Sequence, residues 1–169
     1  PLEDAEAALR YIRDHAAEYG VDPSRVGVMG FSAGGHLAAS AATMLPEEVR
    51  PAFAVLIYPV ITAEPGKCHK GSFDHLLGTD RTAGDEAQWS LQNRVTASTP
   101  PTLLLLADDD RTVPPVNSTL YYNALKAHGI EASMHIYPSG GHGWGIRDSF
   151  RYKAQWQDAV LDWLRRINE

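Results

Sequence analysis

The apolar positions of this chain change their period as it runs. Leu2, Ala5, Ala8, Leu9, Ile12 and Ala16 recur at helical spacing with charged residues between them, and Gly20 ends the pattern. That spacing predicts a surface helix over residues 2–19. Asp22-Pro23-Ser24 reads as a turn, and residues 25–30 read as a short buried strand. An alanine-rich helix over 32–45 follows, stopped by Pro46, and then the continuous apolar run AFAVLIY over 52–58. A run without alternation marks a strand covered on both faces.

Residues 59–101 are irregular, with short helices predicted near 73–77 and 85–91. The pattern then resumes with a strand over 102–107 (TLLLLA), a helix over 114–128 with proline in its first turn, and a strand over 132–137. A final amphipathic helix spans 149–167, with Trp156, Val160, Trp163 and Leu164 on its core side. The order αβαβ(loop)βαβα predicts an α/β fold with a mostly parallel sheet and helices on both faces. At 169 residues the chain fits a single domain, 1–169.

Composition narrows the partners. A formal charge of −6 without a basic cluster argues against nucleic acid. No apolar stretch has membrane-spanning length, and no signal-peptide pattern opens the chain. Cys68 is the only cysteine, so neither an intrachain disulfide nor a multi-cysteine metal site is expected. Cys68, His69, Asp74 and His75 match no usual zinc spacing and read as polar loop residues.

The candidate chemistry lies at the ends of the predicted strands, where open parallel sheets bind their ligands. Gly30-Phe31-Ser32-Ala33-Gly34 fits G-x-S-x-G between a strand and a helix, which makes Ser32 a candidate nucleophile. In this pattern, glycines two before and two after the serine let strand and helix approach closely. A serine needs a base and an orienting acid, expected at later strand ends in the order acid, then histidine. The 102–107 strand runs straight into Asp108-Asp109-Asp110, and the 132–137 strand into Ser139-Gly-Gly-His142-Gly-Trp-Gly145. One of the three aspartates is the candidate acid, and the other two read as members of a solvated loop. Among seven histidines, His142 has the setting of a mobile loop that presents an imidazole. His36, one turn into the helix after Ser32, reads as packing beneath the elbow, and His135 as structural. Trp144 is equally readable as core or as a pocket wall beside His142.

GFSAGGHLAAS, DDDRTVPPVNS and SGGHGWG together resemble the α/β-hydrolase superfamily, and within it bacterial carbohydrate esterases of the acetyl xylan esterase and xylanase B-like type. The resemblance covers nearly the whole chain and implies a three-layer α/β-hydrolase fold. It implies Ser32 as nucleophile, His142 as base and Asp110, from the D-x-x-V-P motif, as acid. It places the Ala33 backbone N–H in the oxyanion hole; Phe31 and Trp144, beside the candidate serine and histidine, are the candidates for the substrate pocket. The implied substrate is an acylated carbohydrate or another small ester, with no metal or organic cofactor.

Family members carry further strands and an HGGG-type loop before the segment that starts here, so the resemblance implies the C-terminal portion of a longer catalytic domain. The 25–30 strand is then expected to show an unpaired apolar edge, covered by a second copy, a swapped segment or a completing polypeptide. Two rivals to the esterase stand beside it: a peptidase of the prolyl-oligopeptidase type, and a hydrolase-fold remnant that binds without turnover.

Overall fold

A computed structural model describes residues 1–169. Four strands, β1 (Val28–Phe31), β2 (Ala54–Ile57), β3 (Thr102–Ala107) and β4 (Ala132–Tyr137), form one sheet in the order β1-β2-β3-β4, every pair parallel. Because each step moves one place in the same direction, crossovers of a single hand lie on the same face. That face carries α3 (Ala33–Met44) and α6 (Val116–Ala127), together with part of the long β2–β3 connection. The opposite face is covered by α7 (Lys153–Ile167). The result is a three-layer α/β-hydrolase arrangement.

The two-residue period of the strands sorts the core. Ala54, Leu56 and Leu104 point to the α3/α6 side, where they meet Ala38, Ala42, Tyr121 and Leu125. Val55, Ile57, Leu103 and Leu105 point the other way, onto Trp156, Val160 and Trp163 of α7. Both β2 and β3 are buried along their whole length, which is why neither sequence alternates. The outer strands differ. β4 alternates little in burial and exposes His135 and Ile136. β1 bonds only to β2 and leaves Met29 46% exposed, so its edge is open as expected.

Several boundaries differ from the sequence pattern, each for a local reason. The predicted 2–19 helix is broken into α1 (Leu2–Asp14) and α2 (Ala16–Tyr19), where the His15 ring stacks on Tyr11 and its Nδ1 reaches the Tyr11 carbonyl. The first strand starts three residues late, because Asp22 caps a 3₁₀ turn over Pro23–Arg25 by accepting from the Ser24 amide. The last helix starts at Lys153, with Ser149–Tyr152 in turns that seat Phe150 in the core. In the irregular middle, α4 (Lys70–Leu77) and α5 (Ala83–Gln88) are each close to the predicted helices. α5 begins with a reciprocal capping box between Thr82 and Asp85. No helix is long and apolar enough to cross a membrane.

Candidate active site

Ser32 sits between β1 and α3 with φ 55° and ψ −118°, a left-handed conformation that costs a non-glycine residue about 1–3 kcal/mol. Its surroundings fix this geometry. The Ser32 amide donates to the Ile57 carbonyl, and its carbonyl accepts from the Val60 amide. A side chain at Gly30 would place its Cβ 2.1 Å from the Gly34 carbonyl oxygen, so only glycine lets the strand end lie against the helix start. The second close approach belongs to Gly35, not to Gly34 as the motif suggests. A Cβ at Gly35 would meet Pro59 at 2.8 Å, whereas one at Gly34 would meet nothing within 4 Å.

Ser32 occupies the N-cap position of α3, where a serine hydroxyl ordinarily accepts from an amide of the first turn. Here it makes no capping bond. The Oγ instead lies 2.7 Å from His142 Nε2. His142 Nδ1 lies 2.6 Å from Asp110 Oδ2, and Asp110 Oδ1 accepts from the Thr112 and Val113 amides. A carboxylate accepts only, so the ring proton belongs on Nδ1, which leaves Nε2 free to accept the serine proton. Asp110 is 4% exposed and held from both oxygens, which fixes the ring it faces. The Ala33 amide is the first of α3 and has no partner one turn earlier within the helix, so it remains available at the positive end of the helix. Ser32, Asp110 and His142, chosen from strand ends and motifs, are thus gathered into one hydrogen-bonded relay.

Two further residues hold the loop that carries His142, and neither was singled out in the sequence. Asp109 Oδ1 accepts from the Gly141 amide at 2.7 Å. That bond is the main reason its carboxyl lies below the usual aspartate value, and it gives this exposed loop residue a role in holding the His142 loop. On the far side of His142, the Gly145 amide donates to the Tyr58 hydroxyl at 3.1 Å, and the Tyr58 ring lies 4.7 Å from the imidazole. Tyr58 is the only other non-glycine residue with positive φ, at 38°. Gly141 and Gly143, the immediate neighbours of His142, take φ 61° and 74°, a path closed to most side chains. The triple aspartate hinted at Asp109, but nothing in the sequence signalled Tyr58.

Trp144 and Phe31 both pack on Trp156, and Trp144 also walls a small cavity that it shares with His142. Trp144 is core, 2% exposed and stacked on Phe150 with ring centroids 4.2 Å apart. Phe31 is half-buried and joins the same aromatic layer through Tyr58 and Trp156. His36 is buried beneath the elbow as expected, its Nε2 on the Trp89 carbonyl and its ring edge-on to Phe73. His135 is exposed on the β4 edge. His69 bonds Ser72, and Asp74 pairs with Lys70 and Arg81. An apolar cavity of about 410 Å³ opens beside Ala33 and Gly34, walled by Leu37, Val60, Phe73 and Trp89.

With this geometry in hand, comparison with known proteins is direct. The profile of the prolyl oligopeptidase family matches residues 1–168. The chain belongs to that family. It is 43% identical over 171 residues to an acetylxylan esterase of Xylanibacter ruminicola, covering 99% of this chain and 36% of that one. It is 37% identical over 155 residues to endo-1,4-beta-xylanase B of Butyrivibrio fibrisolvens, covering 85% of this chain and 24% of the relative. Among solved structures, an acetyl ester-xyloside bifunctional hydrolase from Caldicellulosiruptor lactoaceticus superposes with a TM-score of 0.91 at 37% identity. The match takes in 99% of this chain and 66% of that structure. The chain therefore spans about a third or less of the curated relatives it matches.

Proposed function

We propose that this family member is a serine esterase that hydrolyses acetyl or other small acyl esters on plant polysaccharides such as xylan. The observation that carries the reading is the serine hydroxyl turned away from its capping role and onto His142 Nε2 at 2.7 Å. His142 takes the Ser32 proton as Oγ attacks the ester carbonyl, and Asp110 holds the resulting imidazolium in place. The Ala33 amide donates to the oxyanion. His142 then protonates the departing alcohol, and water hydrolyses the acyl-enzyme by the same steps in reverse roles.

The likeness to proteins named acetylxylan esterase and acetyl ester-xyloside hydrolase supports the acyl and carbohydrate parts of this reading. The family description is that of a peptidase group, so the assay must separate the two chemistries. A fluorophosphonate probe should label the wild-type chain and fail on Ser32→Ala. p-Nitrophenyl acetate and acetylated xylan should be turned over, with a Gly-Pro anilide left intact. Losing Ser32 or His142 should lower kcat by roughly 10⁴–10⁶. Turnover of the anilide alone would establish the peptidase, and a folded chain that resists the probe would be a binding remnant.

A further inference from the structure

The cations of this acidic protein are almost all occupied, except near His142. Eight of the 15 lysines and arginines pair with carboxylates. Three more, Arg13, Arg50 and Lys126, donate to backbone carbonyls. The four left without such a partner are Arg94, Arg111, Arg147 and Arg151. Three of these four stand on the two loops that carry Asp110 and His142, or on the turn just after them.

Arg147 and Arg151 line one cavity of about 190 Å³ together with His142, Ser139 and Ser149. Both arginines and both serines are exposed, and neither serine hydroxyl has a protein partner. No acid lines this cavity, and the neighbouring acids, Asp108 apart, are engaged elsewhere. Asp148 pairs with Lys153, Asp110 with His142, and Asp109 with the Gly141 amide. Two arginines and two serines lining one small, mainly polar cavity suit a carboxylate.

The position of the cavity decides which part of the substrate carries that carboxylate. His142 hands its proton to the departing alcohol, so a cavity walled by His142 lies on the alcohol side of the scissile bond. The apolar cavity beside Ala33 is a separate one that shares no lining residue with it. We propose that Arg147 and Arg151 form a carboxylate-binding subsite on the leaving-alcohol side, selecting esters on sugar chains that also bear a uronic acid. This inference rests on the esterase reading for its catalytic consequence, but the binding it claims is separable from turnover.

The test compares acetylated xylo-oligosaccharides with and without a glucuronic acid branch. Wild type should favour the branched substrate in kcat/KM by roughly three- to tenfold at low salt, the size expected of exposed charge pairs acting together. The preference should shrink at about 0.5 M salt, where the Debye length is only a few ångströms. In the double variant R147Q/R151Q the ratio of branched to unbranched kcat/KM should fall to near one. Equal ratios in wild type and variant overturn the subsite. So does a preference for a hemisuccinate over an acetate ester of p-nitrophenol without any preference for the branched sugar, since that would put the carboxylate on the acyl side. If no ester is turned over, the esterase reading fails by itself. Calorimetric titration of Ser32→Ala with the deacetylated branched oligosaccharide then decides the subsite. Salt-sensitive binding lost when R147Q and R151Q are added to Ser32→Ala supports it, and absent or unaltered binding overturns it.

Discussion

Asp109 and Gly141 are joined by a 2.7 Å hydrogen bond one residue away from each end of the Asp110–His142 contact, so two adjacent aspartates hold one loop by two handles. Asp110 orients the imidazole, and Asp109 fixes the backbone that presents it. Asp109→Ala should therefore lower kcat roughly three- to tenfold with little change in KM, since small misplacements of a reacting group are costly. Asp109→Asn keeps an accepting oxygen and should recover most of the rate; equal losses in both variants would make charge, not the hydrogen bond, responsible. The carboxyl lies below its ordinary value of 3.8, chiefly through the Gly141 amide. Its contribution is therefore complete above pH 3.8 and is lost as pH falls through the lower folded value. Hydrogen exchange of the Gly140–Gly143 amides should report this loosening.

Tyr58 secures the other end of the loop, and Tyr58→Phe isolates its hydroxyl from its ring. Removing the acceptor for the Gly145 amide should cost about 0.5–1.5 kcal/mol in denaturant unfolding. An unchanged midpoint would mean that water replaces the phenol without penalty.

Ser32 holds a strained backbone, and the strain predicts a trade of stability against activity. Ser32→Gly relieves left-handed strain of about 1–3 kcal/mol and incurs a glycine entropy cost of about 0.5–1 kcal/mol. The net expectation is a stabilisation of about 1 kcal/mol with complete loss of probe labelling. Ser32→Ala keeps the strain and should not gain. A Ser32→Gly variant with a lower thermal midpoint than Ser32→Ala contradicts the account.

The two glycines after Ala33 should respond in opposite ways. Gly35→Ala drives a Cβ into Pro59, whose backbone Cα is 2.9 Å away, and should cost about 1–3 kcal/mol. Gly34→Ala meets open space within this chain and should gain up to about 1 kcal/mol from helix propensity. Comparable losses at both positions would restore the motif-based assignment to Gly34.

His36 supplies a pH dependence of stability. Burial lowers its pKa below the ordinary 6.5, only partly opposed by the bond to the Trp89 carbonyl. The unfolded chain thus takes up the proton more readily than the folded one. Stability should be full above pH 6.5 and decline as pH falls through that value, levelling off below the lower folded pKa. Thermal midpoints between pH 7 and 5 should fall less steeply in His36→Gln.

Much of this molecule is legible in its residue order because its signals are local. The unbroken apolar runs at β2 and β3, the glycine at position 30 and the order of strand ends all follow from rules that act over a few residues. Those rules picked Ser32 and His142, 110 residues apart in the chain, and narrowed the acid to three aspartates, among which the family resemblance pointed to Asp110. What they could not reach were contacts whose partners carry no sequence mark. Trp144 reads equally as core or as a pocket wall until the fold stacks it on Phe150, where it does both. Tyr58 is one more apolar residue until its hydroxyl meets Gly145.

The sequence by itself determined the period of each element, a mostly parallel sheet and the identity of the residues at the strand ends. Only the tertiary structure decided that the Ser32 hydroxyl faces His142 and not its own helix, and that Asp109 grips the loop beside it. The same holds for Arg147 and Arg151, which share one cavity without an acid between them. The physical reason is that helix and strand formation depend on backbone sterics and local burial. The partner of a polar side chain, by contrast, is set by which distant segments the core brings within 3 Å.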